Sequence, residues 1–331
     1  MNNIFYNIAE VSEMMDRDAS SGMPFLFALD YEMKEGLFIS EPHTQEHVLY
    51  KFENGSNCVR EMILSHSADF MSLISSDNIE KYQKKFEVLI KGLKRGDSYL
   101  ANLTCKSEVE TQVDARTIFL STHSPFALYV PDRFLSFTPE RFVRIEDGII
   151  SSCPMKGTID ASIPNAKERI LSDYKESCEH ATITDLIRND LGIVSDEVWV
   201  DSYRFIDKIS TDRGEILQVS SDIRGRLKSE YKNSLGRLML SLLPAGSISG
   251  APKLSTINLI AQAEEIPRGF YTGVAGLYDG KVLDSCVLIR FLEFASDGKV
   301  YYRSGGGITI NSKVEEEYEE MLKKIYLPLN K

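Results

Sequence analysis

Two hydrophobic periods take turns along this chain. Short β-branched and aromatic runs bounded by turn residues read as strands: PFLFALDY (24–31), GLFIS (36–40), TIFLSTH (117–123), FALYV (126–130), the run 134–152, VWVDSYRF (198–205), the run 273–295 and VYYRSGGGITI (300–310). Between them lie stretches with apolar residues at helical spacing. DNIEKYQKKFEVLIKGLKRGD (77–97) combines that spacing with a glycine stop. Residues 165–190 read as one long amphipathic helix, and APKLSTINLIAQAEEI (251–266) as another whose early proline sits where a missing N–H costs little. Residues 312–331 read as a terminal helix, acidic early and basic late, as the helix macrodipole favours. YDGK (278–281) and SDGK (296–299) are hairpin turns. Strands joined by hairpins predict an α+β architecture of antiparallel sheets rather than a doubly wound parallel sheet. No repeat, low-complexity run or linker divides the chain. Residues 1–331 therefore read as one domain, with 1–80 the least patterned part and 81–331 the core that carries the motifs.

Composition narrows the class. The chain has 331 residues, 43% hydrophobic and 26% charged, as a folded protein with a sizeable core requires. A net charge of −11 lacks the basic surplus that phosphate neutralisation needs, which argues against non-specific nucleic-acid binding. A small anionic substrate remains open, because it needs only a local positive pocket. The five cysteines are scattered without a CxxC pair, a pattern that suits a reducing compartment. The first residues lack a cationic start and a continuous apolar core, so neither a signal peptide nor a membrane span is expected and the protein reads as cytoplasmic.

The candidate chemistry clusters in a few strings, each with a bland reading beside a functional one. CPMKGT (153–158) has a proline, a lysine and a permissive glycine; alone it is a turn with an exposed lysine. LLPAGSISGAPK (242–253) crowds small residues before a helix start, where backbone N–H groups favour an anion. SGGGITI (304–310) puts three glycines in a strand, which marks either a bulge or the close approach of a ligand. In the terminal helix Glu317 and Glu320 are spaced i, i+3 on one face. That face is either solvated or, if turned inward, in need of a cation such as Mg²⁺, which accepts a few carboxylates and keeps waters. CEHATITDLIRND (178–190) sets Glu179 among inward-facing apolar residues, with Arg188 between Asp185 and Asp190 as an expected structural ion-pair hub. SFTPERF (136–142) places Glu140 at a strand–turn junction. No Ser-His-Asp set, P-loop, dinucleotide fingerprint or zinc cluster is visible.

Taken in order, SFTPERF, PMKGT, EHATITDLIRND, PAGSISGAPK, GVAGLYDG, IRFLE, GGGI and EEEYEE resemble the signature strings of the chorismate-utilising enzymes, over about residues 96–327. The resemblance implies a two-lobed α/β sandwich with its site in the cleft between lobes. Within that family the lysine of PMKGT is similar to component I of aminodeoxychorismate synthase, which takes chorismate and ammonia to 4-amino-4-deoxychorismate with Mg²⁺ on the route to para-aminobenzoate and folate. Anthranilate synthase, the main alternative, usually carries alanine there; isochorismate synthase, the next, carries a lysine base where this chain has Leu100. The resemblance implies that Lys156 is the nucleophile and Glu140 the general acid. It assigns Glu179 and Glu317 to the metal with Glu320 as an outer third. It assigns Ser249, Gly250, Lys253, Arg290, Gly305, Gly306 and Gly307 to the substrate. Gln218 stands where the family often has histidine, and Leu277 where it often has tyrosine. No glutaminase is recognisable in the chain, so a separate glutamine amidotransferase subunit is the expected ammonia-supplying partner.

Overall fold

The computed structural model describes residues 3–58, 70–211 and 214–329. Among these the strands form two antiparallel sheets. The first runs Phe5–Asn7, Glu35–Ser40, Phe25–Leu29, Val274–Tyr278, Leu283–Val287, Arg141–Glu146, Ile149–Ser152, Gly214–Leu227 and Met155–Asp160, with Ser195–Thr211 also paired to Gly214–Leu227. The second runs Gly250–Ala251, Leu100–Thr111, Val300–Ile308, Phe291–Phe294, Phe134–Thr138, Phe126–Val130, Leu49–Phe52 and Gly55–Ser56, with Met71–Ser75 on Leu100–Thr111. The sheets face each other and helices cover their outer faces, which makes the α+β sandwich.

The strand Phe25–Leu29 shows why these layers form. Alternate side chains of a strand point to opposite faces. Phe25, Phe27 and Leu29 join the cluster under the helices Ile8–Ser20 and Leu235–Leu242, whereas Leu26 and Ala28 join the cluster between the sheets with Tyr50, Phe126 and Phe134. Both faces are buried, so the run reads as continuous apolar sequence. Each large side chain removed from water contributes about 1.5–3 kcal/mol. The least patterned part of the sequence thus supplies a central strand, paired to Val274–Tyr278 from the far end of the chain.

The hairpins at YDGK and SDGK form as expected, joining Val274–Tyr278 to Leu283–Val287 and Phe291–Phe294 to Val300–Ile308. Four expectations are corrected. TIFLSTH is the helix Ala115–Ser121, not a strand: Asp114 caps it by accepting from Thr117 N–H (3.0 Å), and Ser121 Oγ donates back to the Thr117 carbonyl (2.8 Å). The helix read over 165–190 is two, Ala166–Ser172 and Tyr174–Val194, because Asp173 takes an extended conformation and caps the second at Glu176 N–H (3.0 Å). The terminal helix spans only Val314–Lys323. Beyond it Ile325, Leu327 and Leu329 pack under Ala115–Ser121, Pro328 bars helical continuation, and residues 330–331 lie outside the described residues. PMKGT is not a turn but part of the edge strand Met155–Asp160.

Candidate active site

Two long runs change sheets partway, and each change places a polar side chain in the cleft. Phe134–Thr138 belongs to the second sheet and Arg141–Glu146 to the first, so the chain crosses at residues 139–140 and leaves Glu140 where the sheets diverge. Leu283–Val287 and Phe291–Phe294 cross back at residues 288–290, leaving Arg290 beside it. The crossings are stitched together: Phe137 N–H donates to the Arg290 carbonyl (3.1 Å), and Val287 N–H to the Glu140 carbonyl (3.1 Å). Arg290 holds a left-handed φ of 53°, a conformation that surrounding contacts must enforce in a bulky residue. The cleft encloses a cavity of about 260 Å³, slightly below the roughly 300–1,000 Å³ of small-molecule sites.

Lys156 reaches this cavity through a β-bulge. Met155 pairs with Ser220 and Thr158 with Gln218, so Lys156 and Gly157 together stand opposite Val219. Gly157 takes a φ of 83°, which a side-chain-bearing residue rarely adopts. A bulge of this kind re-aims the side chain beside it. Lys156 Nζ lies 4.0 Å from Glu179 Oε2, and Lys175 Nζ lies 3.9 Å from Glu179 Oε1, so Glu179 sits between two ammonium groups. Glu140 accepts a hydrogen bond from Ser247 Oγ (2.9 Å). The cavity walls shield its carboxyl from bulk water, and this burial pushes its pKa above the usual range, against the opposing pull of Ser247, Lys156, Arg290 and Lys324. A carboxyl that holds its proton is what general-acid chemistry needs.

The terminal helix closes one side. The heads of Glu317, Glu320 and Lys324 gather over Gly306, within 3.6, 3.8 and 3.5 Å of where a Cβ there would lie. Lys324 Nζ pairs with Glu320 (2.6 Å) and donates to the Gly305 carbonyl (2.9 Å). Burial, with Glu320 adding to it, raises the Glu317 pKa despite a hydrogen bond from Ser312. Among the described residues no three carboxylate, histidine or cysteine groups converge as a metal-binding cluster. Glu317, a half-buried carboxylate crowded by Glu320, suits a divalent cation, whereas Glu179 is partly exposed and already lies between the ammonium groups of Lys156 and Lys175. Glu320, expected as an outer third, already has a cation in Lys324.

Of the remaining expected residues, Gln218, Ser249, Gly250, Arg290 and Gly305–Gly307 all line the cavity. Ser249 Oγ donates its one proton to the Ala245 carbonyl (2.8 Å). Gly250, at φ 127°, lies so close to Leu100 that a Cβ would come within 1.8 Å of its carbonyl oxygen. Arg290 Nε meets the Tyr326 hydroxyl at 3.4 Å. Lys253, expected at the substrate, stands apart from these. It does not line the cavity; its Nζ pairs with Asp190 (3.0 Å) and donates to the Leu242 carbonyl (2.8 Å), while Asp190 also accepts from Gly246 N–H (3.2 Å). Asp190 therefore belongs to Lys253, and the expected hub at Arg188 reduces to a pair with Asp185 (3.3 Å). Leu100 stands in the cavity wall, whereas Leu277 is buried between the sheets and touches no part of the cavity.

Sequence reasoning missed Asn102, Ser247, Tyr271, Thr272, Asp190 and Lys324 as cavity-lining residues. Ser247 lay inside the PAGSISG string, and Lys324 lies one helical turn after Glu320, so both were within reach of pattern reading. Tyr271 and Thr272 carried no signal, since a loop that reaches the cavity looks like any other.

Two facing antiparallel sheets with a partly charged cavity at their crossings define an α+β enzyme-like sandwich. Residues 25–330 match the family of chorismate binding enzymes, and the chain belongs to that family. An "Uncharacterized PabA-like protein" of Haemophilus influenzae is 43% identical over 310 residues, covering 92% of each chain. Anthranilate synthase component 1 of Acetivibrio thermocellus is 33% identical, over 79% of this chain and 55% of that protein. Aminodeoxychorismate synthase component 1 of Bacillus subtilis is 28% identical, over 81% and 58%. A 2,3-dihydroxybenzoate-specific isochorismate synthase structure from Bacillus anthracis covers 97% of this chain and 88% of its own at a TM-score of 0.71 and 19% identity, a likeness of fold. The five cysteines are free, and among the described residues no helix is long and apolar enough to cross a membrane.

Proposed function

We propose that this chain is an aminodeoxychorismate synthase component I, which converts chorismate and ammonia to 4-amino-4-deoxychorismate in the cytoplasm, on the route to para-aminobenzoate and folate. The observation that carries the proposal is Lys156, aimed by its bulge into the same cavity as Glu140, whose pKa burial raises. Chorismate is a dianion with a poor leaving group at C4. Lys156, as a neutral amine, bonds to C2; both ring double bonds shift by one position, and the C4–O bond breaks as Glu140 gives its proton to the departing hydroxyl, which leaves as water. Ammonia then bonds to C4, both double bonds shift back, and the C2–N bond to Lys156 breaks, with the excess ammonium proton returning to the Glu140 carboxylate. One displacement alone, with ammonia at C2, leads instead to the anthranilate outcome. Lys156 is thus the residue that selects position 4.

Arg290 and the Gly305–Gly307 backbone hold the substrate carboxylates in this reading, with Ser249 and Gly250 in the wall beside them, Gln218 on the leaving-group side and backbone donors replacing lost hydration. Glu179 and Glu317 would hold Mg²⁺, which supplies positive charge for a substrate carboxylate when bound. Ammonia comes from a separate glutamine amidotransferase subunit. Anthranilate synthase is the rival reading, favoured by the 33% identity above and opposed by Lys156.

The test is purified protein with chorismate, Mg²⁺ and an ammonium salt, the products separated and weighed. 4-Amino-4-deoxychorismate is expected; anthranilate or isochorismate as the main product overturns the proposal. Turnover with glutamine by this chain alone would remove the need for a partner.

A further inference from the structure

The guanidinium of Arg268 lies behind the cavity without lining it, and its side chain is only 1% exposed. An arginine head carries five N–H donors, and here all five are in use. Nε donates to Glu264 Oε2 (2.8 Å) and Nη2 to Glu264 Oε1 (2.6 Å). The remaining three go to the Asn102 carbonyl (2.8 Å), the Ile248 carbonyl (3.2 Å) and Thr272 Oγ1 (3.3 Å). Asn102, Ile248 and Thr272 all line the cavity.

These three residues come from different parts of the fold. Asn102 is on the second-sheet strand Leu100–Thr111, Ile248 is in the small-residue turn before Lys253, and Thr272 is in the loop that enters the first-sheet strand Val274–Tyr278. Glu264 adds a further tie, accepting from Thr104 N–H on the same strand as Asn102 (2.8 Å). Thr272 itself holds a left-handed φ of 59°, so its loop is kept in place by contacts rather than by backbone preference. Burial requires every one of the five donors to find an acceptor, and what marks this arginine is where the three beyond the Glu264 fork go. Here those three donors hold the backs of the cavity walls, at a second-sheet strand, the loop that enters a first-sheet strand, and the small-residue turn.

We infer that Arg268 is a positioning residue: it sets the separation of the two cavity walls at which bound chorismate is turned over. The inference rests on the cavity converting chorismate, and not on which product forms. Its expected signature is a loss of turnover that stability does not explain. Removing Arg268 alone strands the buried Glu264 carboxylate, so a second variant is required, because replacing both members of a buried pair by apolar residues is often neutral for folding.

The experiment compares wild type, R268M, R268K and the double variant E264L/R268M by thermal melting and by chorismate consumption, whatever the product. R268M is expected to melt well below wild type and the double variant to recover most of that loss. The double variant and R268K are both expected to stay about 100-fold down in kcat, the size of loss that roughly 1 Å of misplacement produces, with a much smaller change in KM. Wild-type turnover in the double variant, or a double variant no more stable than R268M, overturns the inference. If the wild-type protein consumes no chorismate, the functional reading of the cavity fails instead.

Discussion

Lys156 and Lys253 invite comparison, because sequence motifs placed both at the substrate and the fold separates them. Lys253 is anchored at both ends of its charge, at 3.0 Å to Asp190 and 2.8 Å to a backbone carbonyl, and its side chain is 23% exposed. Lys156 has a carboxylate no closer than 4.0 Å, is 42% exposed, and opens onto the cavity. A lysine whose hydrogen bonds the fold already uses holds a turn; one whose bonds are left open is available for chemistry. The difference comes from the neighbours, a partly buried Asp190 in one case and a bulge that turns the chain in the other.

The comparison breaks most decisively at Lys156. K156A is expected to lower formation of the 4-amino product by at least about 1,000-fold while leaving the melting temperature near that of wild type, since the ammonium makes no close bond in the fold. A normal rate in the variant returns this lysine to the surface class. Next in size is E140Q, which keeps an acceptor for Ser247 but no proton to give. It should cost roughly 100- to 10,000-fold in kcat. Because the folded pKa of Glu140 is raised, its protonated form contributes stability at low pH that is lost as pH rises through that value. E140Q should flatten this part of the stability–pH curve, and an unchanged slope would show that Glu140 is not the group responsible.

K253M tests the other side. It leaves Asp190 half-paired, which should lower stability by about 1–3 kcal/mol, discounted from fully buried pairs because both side chains keep some exposure. The D190N/K253M double variant should regain most of it. A K253M protein of full stability with a raised KM for chorismate would put Lys253 back on the substrate. The smallest effect is expected for L100K, which puts an amine on the cavity wall. A few per cent of water-derived product beside the amino product would mark that wall as the side from which the nucleophile arrives, and its complete absence would remove the wall from the reaction.

The hairpin turns, the sheet class and most strands were legible because each depends on near neighbours: a two-residue turn, an alternating period, a glycine stop. TIFLSTH shows the limit. Its β-branched and aromatic content suits a strand, yet Asp114 and Ser121 satisfy the backbone locally and the run packs as a helix. The break at Asp173 has the same cause, one side chain that can cap. For the site, the motif strings marked Glu140, Lys156, Gln218, Arg290 and the glycines that line the cavity, but not Asn102, Tyr271, Thr272 or Lys324, because a partner such as Ser247 for Glu140 lies 107 residues away along the chain.

What the sequence determined by itself was the antiparallel α+β class and the residues from which a cavity could be made. These follow from periodicity and side-chain chemistry, which are local. Only the tertiary structure decided that Glu140 and Arg290 meet where two runs change sheets, that Lys156 stands on a bulge, that Lys253 faces Asp190, and that Arg268 holds both walls. Each of these depends on groups far apart along the chain, and it is their distance and shielding from water that set which charges are already paired and which are left for a ligand.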